Sequence, residues 1–224
     1  MSKLVDGVPD FLCKPAAIDP QLFPAIQEEA YKLFLEMYKN VPDTKRLFYY
    51  FQKPEFQTSM SLHCPILLGE IRRLNLYSLF VRLLFVQDYY KPENPMPAHR
   101  DYPYNFSYDN LGLNIPVRNY DHSYTVFYEG QDSVENNWDA EYEHALGTPN
   151  IRVAVLGQQD SIREIARFKI DRPVWINSYA LHAARHDPQS DSENPRLILS
   201  LRFASMKHLF DNGYFDEHLV AQQE

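Results

Sequence analysis

The sequence predicts a mainly β protein of the α+β type: an antiparallel sheet sandwich or jelly roll with N-terminal helices packed outside it. Three observations predict this. Candidate strands outnumber candidate helices, helical periodicity is confined to the first 75 residues, and the later apolar segments are short and punctuated by Pro, Asn and Asp.

In chain order, residues 18–40, "IDPQLFPAIQEEAYKLFLEMYKN", carry Leu22, Ile26, Ala30, Leu33 and Met37 at three- and four-residue steps, the spacing of one helix face. Asp19-Pro20 is the expected start, because Asp caps a helix and Pro is tolerated in its first turn. A second short helix is expected near "SLHCPILLGEIRRLN". The expected strands follow: 77–90, 98–101, 111–117, 123–129, 151–156, 166–170, 173–179 and 196–203. Residues 129–150 hold six acidic side chains and no Lys or Arg, and are read as an exposed, solvated insertion.

At 224 residues and 45% hydrophobic content, the chain can bury one substantial core. A single domain is expected, with 1–75 as helical support, 76–204 as the jelly-roll core and 205–224 as a C-terminal tail. Cys13 and Cys64 match no metal-ligand spacing and are read as reduced thiols. "MSKLVDGVPDFL" lacks the apolar core of a secretory signal, and "LFVRLLFV" is too short to span a bilayer and is interrupted by Arg82. A soluble, cytoplasmic protein without a membrane partner is therefore expected. The formal net charge of −8 and the absence of a basic stripe argue against nucleic acid as partner.

His99-Arg100-Asp101 spells the catalytic loop of a protein kinase, which requires Asn five residues after the Asp. That position is Phe106, and no Gly-rich loop accompanies it. Zinc-protease, nucleophile-elbow, P-loop and Rossmann signatures are also missing. On a strand, however, residues i and i+2 share a face, so His99 and Asp101 would present an imidazole and a carboxylate side by side. A second His would complete the two-His, one-carboxylate face that suits non-haem Fe(II) and leaves positions open. The late segment "PVWINSYALHAARHDPQSDSENPRLILSLRF" offers His182 and His186, followed by Arg196.

This order, H-x-D, a distal His and an Arg opening the final strand, resembles the Fe(II)/2-oxoglutarate-dependent oxygenase superfamily. "DYYKPENPMPAHRD", "LNIPV", "SYTVFYEG" and the ending I-N-x-x-x-x-H, loop, R-x-x-L-S-x-R-F are similar to that superfamily over about residues 85–203. One departure is "PENPMP", where the family usually has Gly ahead of H-x-D. The resemblance implies a double-stranded β-helix with His99, Asp101 and His182 holding Fe(II). It implies that Arg196 binds the distal carboxylate of 2-oxoglutarate, a task suited to the guanidinium fork, with Tyr90 assisting. Asn114 is placed as a further co-substrate contact.

Arg196 lies fourteen residues after His182 and ten after His186, so spacing leaves the distal ligand open. The matched I-N-x-x-x-x-H context favours His182. Arg196 and Arg202, six apart on one strand face, resemble the pair of the nucleic-acid dealkylating branch, in which Arg202 would join the co-substrate site. The acidic balance speaks against that branch. A lone His is more often structural than ligating, and His63, His122, His144, His208 and His218 are read so. Arg82 is read as a buried ion-pair partner ahead of a substrate contact.

The implied activity is oxidation of an unactivated C–H bond, with 2-oxoglutarate and O2 converted to succinate and CO2. Asp101 favours hydroxylation over halogenation, since halogenating members replace that carboxylate with a small residue. The substrate class is a small molecule or an amino-acid or peptide side chain; were 129–150 a lid, its charge would suit a cation. The rival from another class is a non-catalytic jelly-roll binding module, against which the complete His/Asp/His/Arg set argues. A cupin-type enzyme would instead show H-x-H, which this chain lacks. Oligomeric state is not encoded legibly.

Overall fold

The structure is a computed structural model that describes residues 8–9, 12–39, 46–50, 54–77, 80–88, 98–100, 111–130, 155–156, 161–178, 180–187 and 195–203. In chain order the elements are β1 (Cys13–Pro15), α1 (Phe23–Tyr38), β2 (Arg46–Tyr50), α2 (Pro54–His63), α3 (Pro65–Arg73), β3 (Phe80–Asp88), β4 (His99–Arg100), β5 (Leu111–Arg118), β6 (Ser123–Glu129), β7 (Val155–Leu156), β8 (Arg163–Phe168), β9 (Val174–Asn177), β10 (His182–His186) and β11 (Arg196–Phe203).

Ile26, Ala30, Leu33, Phe34 and Met37 form the buried face of α1, as the sequence spacing requires. The helix begins later than Asp19-Pro20: Leu22 is its N-cap, and Pro24 takes the first turn. Asp19 instead closes a turn ahead of the helix, its Oδ1 accepting from Gln21 N at 2.9 Å. The second expected helix is two. Pro65 disfavours helical backbone at Cys64, whose φ/ψ of −129°/47° separates α2 from α3. The exposed amides at the start of α3 are satisfied from α1, since Glu29 accepts from Ile66 N at 2.9 Å and Leu67 N at 3.0 Å. At the other end, Asn75 (φ 57°) takes the left-handed position, with Leu76 N donating to Ile71 O and Asn75 N to Arg72 O.

The strands form two antiparallel sheets, ordered β1-β9-β5-β11-β3-β2 and β7-β4-β10-β6-β8. From β3 onward, the first sheet takes β3, β5, β9 and β11, and the second takes β4, β6, β7, β8 and β10. Two strands were not anticipated, β1 and β2. Both come from the N-terminal region and pair with β9 and β3 respectively. "CKP" is too short, and "RLFYY" too uniformly apolar, for a period-two pattern to be legible.

The first sheet is covered on both faces. One face packs against the helices, joining Leu33 and Phe34 of α1 and Ile71 of α3 to Leu197, Leu199 and Leu201 of β11. The other face meets the second sheet in a separate core, where Val174, Ile176 and Ile198 touch Phe127 and Phe168. Strand β11 sits between β3 and β5, and every one of its side chains is buried. Strand β8 is at an edge and carries exposed charges, Arg163, Glu164 and Arg167, beside the exposed Ile165, charge being one means by which edges avoid further pairing. No helix among the described residues is long and apolar enough to cross a membrane.

Candidate metal centre

Strand β10 lies between β4 and β6, and this register assembles the site. His182 is directly opposite His99 on one side and Phe127 on the other, and Phe127 is opposite Ala166. Opposite residues of antiparallel strands project to the same face. His99, His182, Phe127 and Ala166 therefore form one cross-strand row. Phe127 belongs to the core between the sheets, against which Ala166 also packs, so the row faces the sandwich interior.

The two imidazoles have ring centroids 4.7 Å apart and are tilted by 44°. His99 is 7% exposed and His182 half-buried. His182 Nδ1 lies 2.9 Å from the carbonyl oxygen of Ala180. That contact assigns the proton to Nδ1, donating to the carbonyl, and leaves the Nε2 lone pair for another partner. Metal-ligating histidines are commonly held in this way. On its far side His182 meets Phe127, centroids 6.1 Å apart, and Phe127 stacks on Phe168 at 5.8 Å. The imidazole pair thus has an apolar aromatic flank toward β6 and β8.

Across the sandwich, Arg196, Ile198, Ser200 and Arg202 alternate onto one face of β11. Ile198 is in the inter-sheet core, so this face is the inner one. Both guanidinium-bearing residues are buried, Arg196 at 7% and Arg202 at 5% exposure. Ser200 Oγ donates to Asn114 Oδ1 at 2.6 Å across the β11–β5 ladder. Arg202 Nη1 donates to Ser178 Oγ at 2.8 Å.

The structure thus brings His99 and His182 together and sets Arg196, Asn114 and Arg202 on the inner side of the facing sheet. His186 shares the face of His182 but sits opposite Ser123, about 13 Å further along the strand at the usual rise. Asp101 and Tyr90 lie outside the described residues, as does the side chain of Arg82. Of the acidic stretch only Glu129 and Gly130 are described, and Glu129 is paired with Arg163. Among the described residues, no group of three or more His, Cys, Asp or Glu side chains meets. Ser178, Ser200, Gly112 and Phe127 were not singled out from sequence. The polar Ser200 inside "RLILSLRF" was the available signal, lying at even spacing from both arginines.

No protein-family model matches the chain, and no curated protein matches it. Among solved structures, it is similar to the non-haem alpha-ketoglutarate-dependent epimerase SnoN from nogalamycin biosynthesis, with TM-score 0.41 and 10% identity over 86% of this chain and 77% of that one. It is similar to AviO1 from Streptomyces viridochromogenes Tue57, with TM-score 0.41 and 11% identity over 87% of this chain and 90% of that one. It is also similar to HygX from Streptomyces hygroscopicus with nickel and 2-oxoglutarate bound, with TM-score 0.37 and 13% identity over 87% and 82%.

Proposed function

We propose that the chain is a double-stranded β-helix dioxygenase that binds Fe(II) through His99, Asp101 and His182 and 2-oxoglutarate through Arg196, and hydroxylates an unactivated C–H bond. The fold assignment rests on strand order: β3-β11-β5-β9 in one sheet and β4-β10-β6-β8 in the other are two interleaved four-stranded layers. The functional assignment rests on one observation, the cross-strand imidazole pair of His99 and His182. The donor chemistry fits the ion. Two imidazoles suit a divalent first-row metal, and Asp101 stands two residues from His99 to add a carboxylate.

Bound iron with 2-oxoglutarate supplies the activation of dioxygen, with succinate and CO2 as co-products. The chain's own residues do the rest. The Ala180 carbonyl accepts from His182 Nδ1, which would leave Nε2 to hold the ion. Arg196, buried in a low-dielectric interior, offers a fork of donors to the distal carboxylate, with Tyr90 assisting. Asn114 and Arg202 line the same inner face of the sheet, and Phe127 with Phe168 keeps water from one flank of the pair. The substrate class remains a small molecule or an amino-acid or peptide side chain.

The test is made with anaerobically purified protein given Fe(II) and 2-oxoglutarate. The expected result is the weak visible charge-transfer band of the chelate, lost in Asp101→Ala and His182→Ala, and succinate release on admitting air. An intact, folded chain giving neither band nor succinate would overturn the proposal.

A further inference from the structure

Arg202 and Gly112 are cross-strand partners. A Cβ added at Gly112 would lie 2.8 Å from Arg202 Nη1, 3.0 Å from its Cζ and 3.1 Å from Ser200 Oγ. The guanidinium therefore lies directly over the bare glycine backbone, in space that any side chain would fill. From that seat Nη1 reaches Ser178 Oγ at 2.8 Å, in a bond buried at both ends. Ser178 belongs to the turn joining β9 to β10. In that turn Ala180 N donates to Asn177 O at 3.2 Å, and Asn177 N is held by Leu12 O at 3.0 Å. The same turn presents the Ala180 carbonyl to His182 Nδ1.

We propose that Arg202 is a positioning residue for His182. Through Ser178 it pins the β9–β10 turn, the turn sets the Ala180 carbonyl, and the carbonyl selects the Nδ1–H form of the His182 ring. Gly112 is glycine because the guanidinium must cross the β5 backbone to reach Ser178. The device connects the inner face of the helix-bearing sheet to a histidine on the other sheet, which neither residue could do by direct contact along its own strand. Its meaning for metal binding rests on the proposed function. The orientation of the ring does not, because it is a property of the metal-free chain.

The experiment uses the metal-free full chain labelled with 15N, with ring 1H–15N correlations reporting which nitrogen of His182 carries the proton. Wild type is expected to show a single form protonated at Nδ1. Ser178→Ala and Gly112→Ala are expected to show a mixture of the two forms, and Ser178→Thr, which keeps the hydroxyl, to restore the single form. Titration with Co(II) should show binding weakened about tenfold in Ser178→Ala and Gly112→Ala and recovered in Ser178→Thr, the usual scale for a group that orients a ligand. Should a Ser178 variant fail to fold, Arg202→Lys is read in the same way. A folded Ser178→Ala with the wild-type His182 form and wild-type Co(II) affinity would overturn the inference while leaving the metal centre standing. A wild type that binds no metal but loses its single ring form in Ser178→Ala would do the reverse.

Discussion

His182 faces His99 across the β10–β4 ladder, while His186, on the same strand face, stands opposite Ser123. Only the first can share an ion with His99. His182→Ala is expected to weaken Co(II) or Fe(II) binding at least a hundredfold, beyond the range of an orienting residue, and His186→Ala to change it less than threefold, as roughly expected of a group outside the coordination shell. Calorimetric titration of the two variants decides between them. Equal losses would remove the register argument.

In the proposed function Arg196 holds a carboxylate with a planar fork, and Lys provides charge without that geometry. Arg196→Lys should therefore raise the dissociation constant for 2-oxoglutarate by about tenfold, the equivalent of one lost charge-assisted hydrogen bond, roughly 1.5 kcal/mol. Metal affinity measured without 2-oxoglutarate should be unaltered. A lysine variant binding the co-substrate as tightly as wild type would exclude bidentate recognition at this residue.

Phe127 is fully buried between the His182 and Phe168 rings. Phe127→Ala opens a cavity on the inner face of the second sheet, and about 3–5 kcal/mol of stability should be lost in urea unfolding. Phe127→Leu, which keeps most of the volume, should lose considerably less. Similar losses in both would mean that the aromatic stack, more than the filled volume, sustains this wall.

Glu70 of α3 is buried, accepts from Arg73 Nε and Nη2 at 2.7 Å each, and accepts from Asp19 N at 2.9 Å. The Arg73 hydrogen bonds hold its carboxyl below the ordinary value against the opposing effect of burial, and the Asp19 amide adds in the same direction. A carboxyl depressed in the folded state contributes stability that is present above its unfolded value and lost as pH falls through the folded one. Glu70→Gln should cost about 1–3 kcal/mol at pH 7. The gap to wild type should close as the pH is lowered below the ordinary carboxylate value, as followed by denaturant unfolding at a series of pH values. A constant gap would assign the loss to shape instead of charge.

Much of the architecture is readable from residue order, and the reasons differ by element. Strands β5, β6 and β11 lie where short apolar segments bounded by Asn, Asp and Pro predict them, because flanking turn residues delimit a strand even when both of its faces are buried. The break at Pro65 was equally available in the letters, but the apolar run across it masked two helices as one. His182 and His186 differ by four residues and so project alike; spacing to Arg196 leaves them open and only the I-N-x-x-x-x-H context favours His182, whereas the register that puts His182, not His186, opposite His99 exists only in the folded sheet. Gly112 illustrates the deeper gap. Its need to be glycine follows from a residue ninety positions later, through a ladder that exists only once the sheet is folded.

Strand β11 is hydrogen-bonded to neighbours along both edges and covered on both faces, whereas among the described residues β4 pairs through two, His99 and Arg100. The amides of β11 should be among the last to exchange with solvent, opening only with global unfolding, and those of β4 among the first. The two sheets thus differ in compliance around the imidazole pair. Arg196 and Arg202 stand on a strand that yields only when the whole molecule does, so local opening falls to the His99 side.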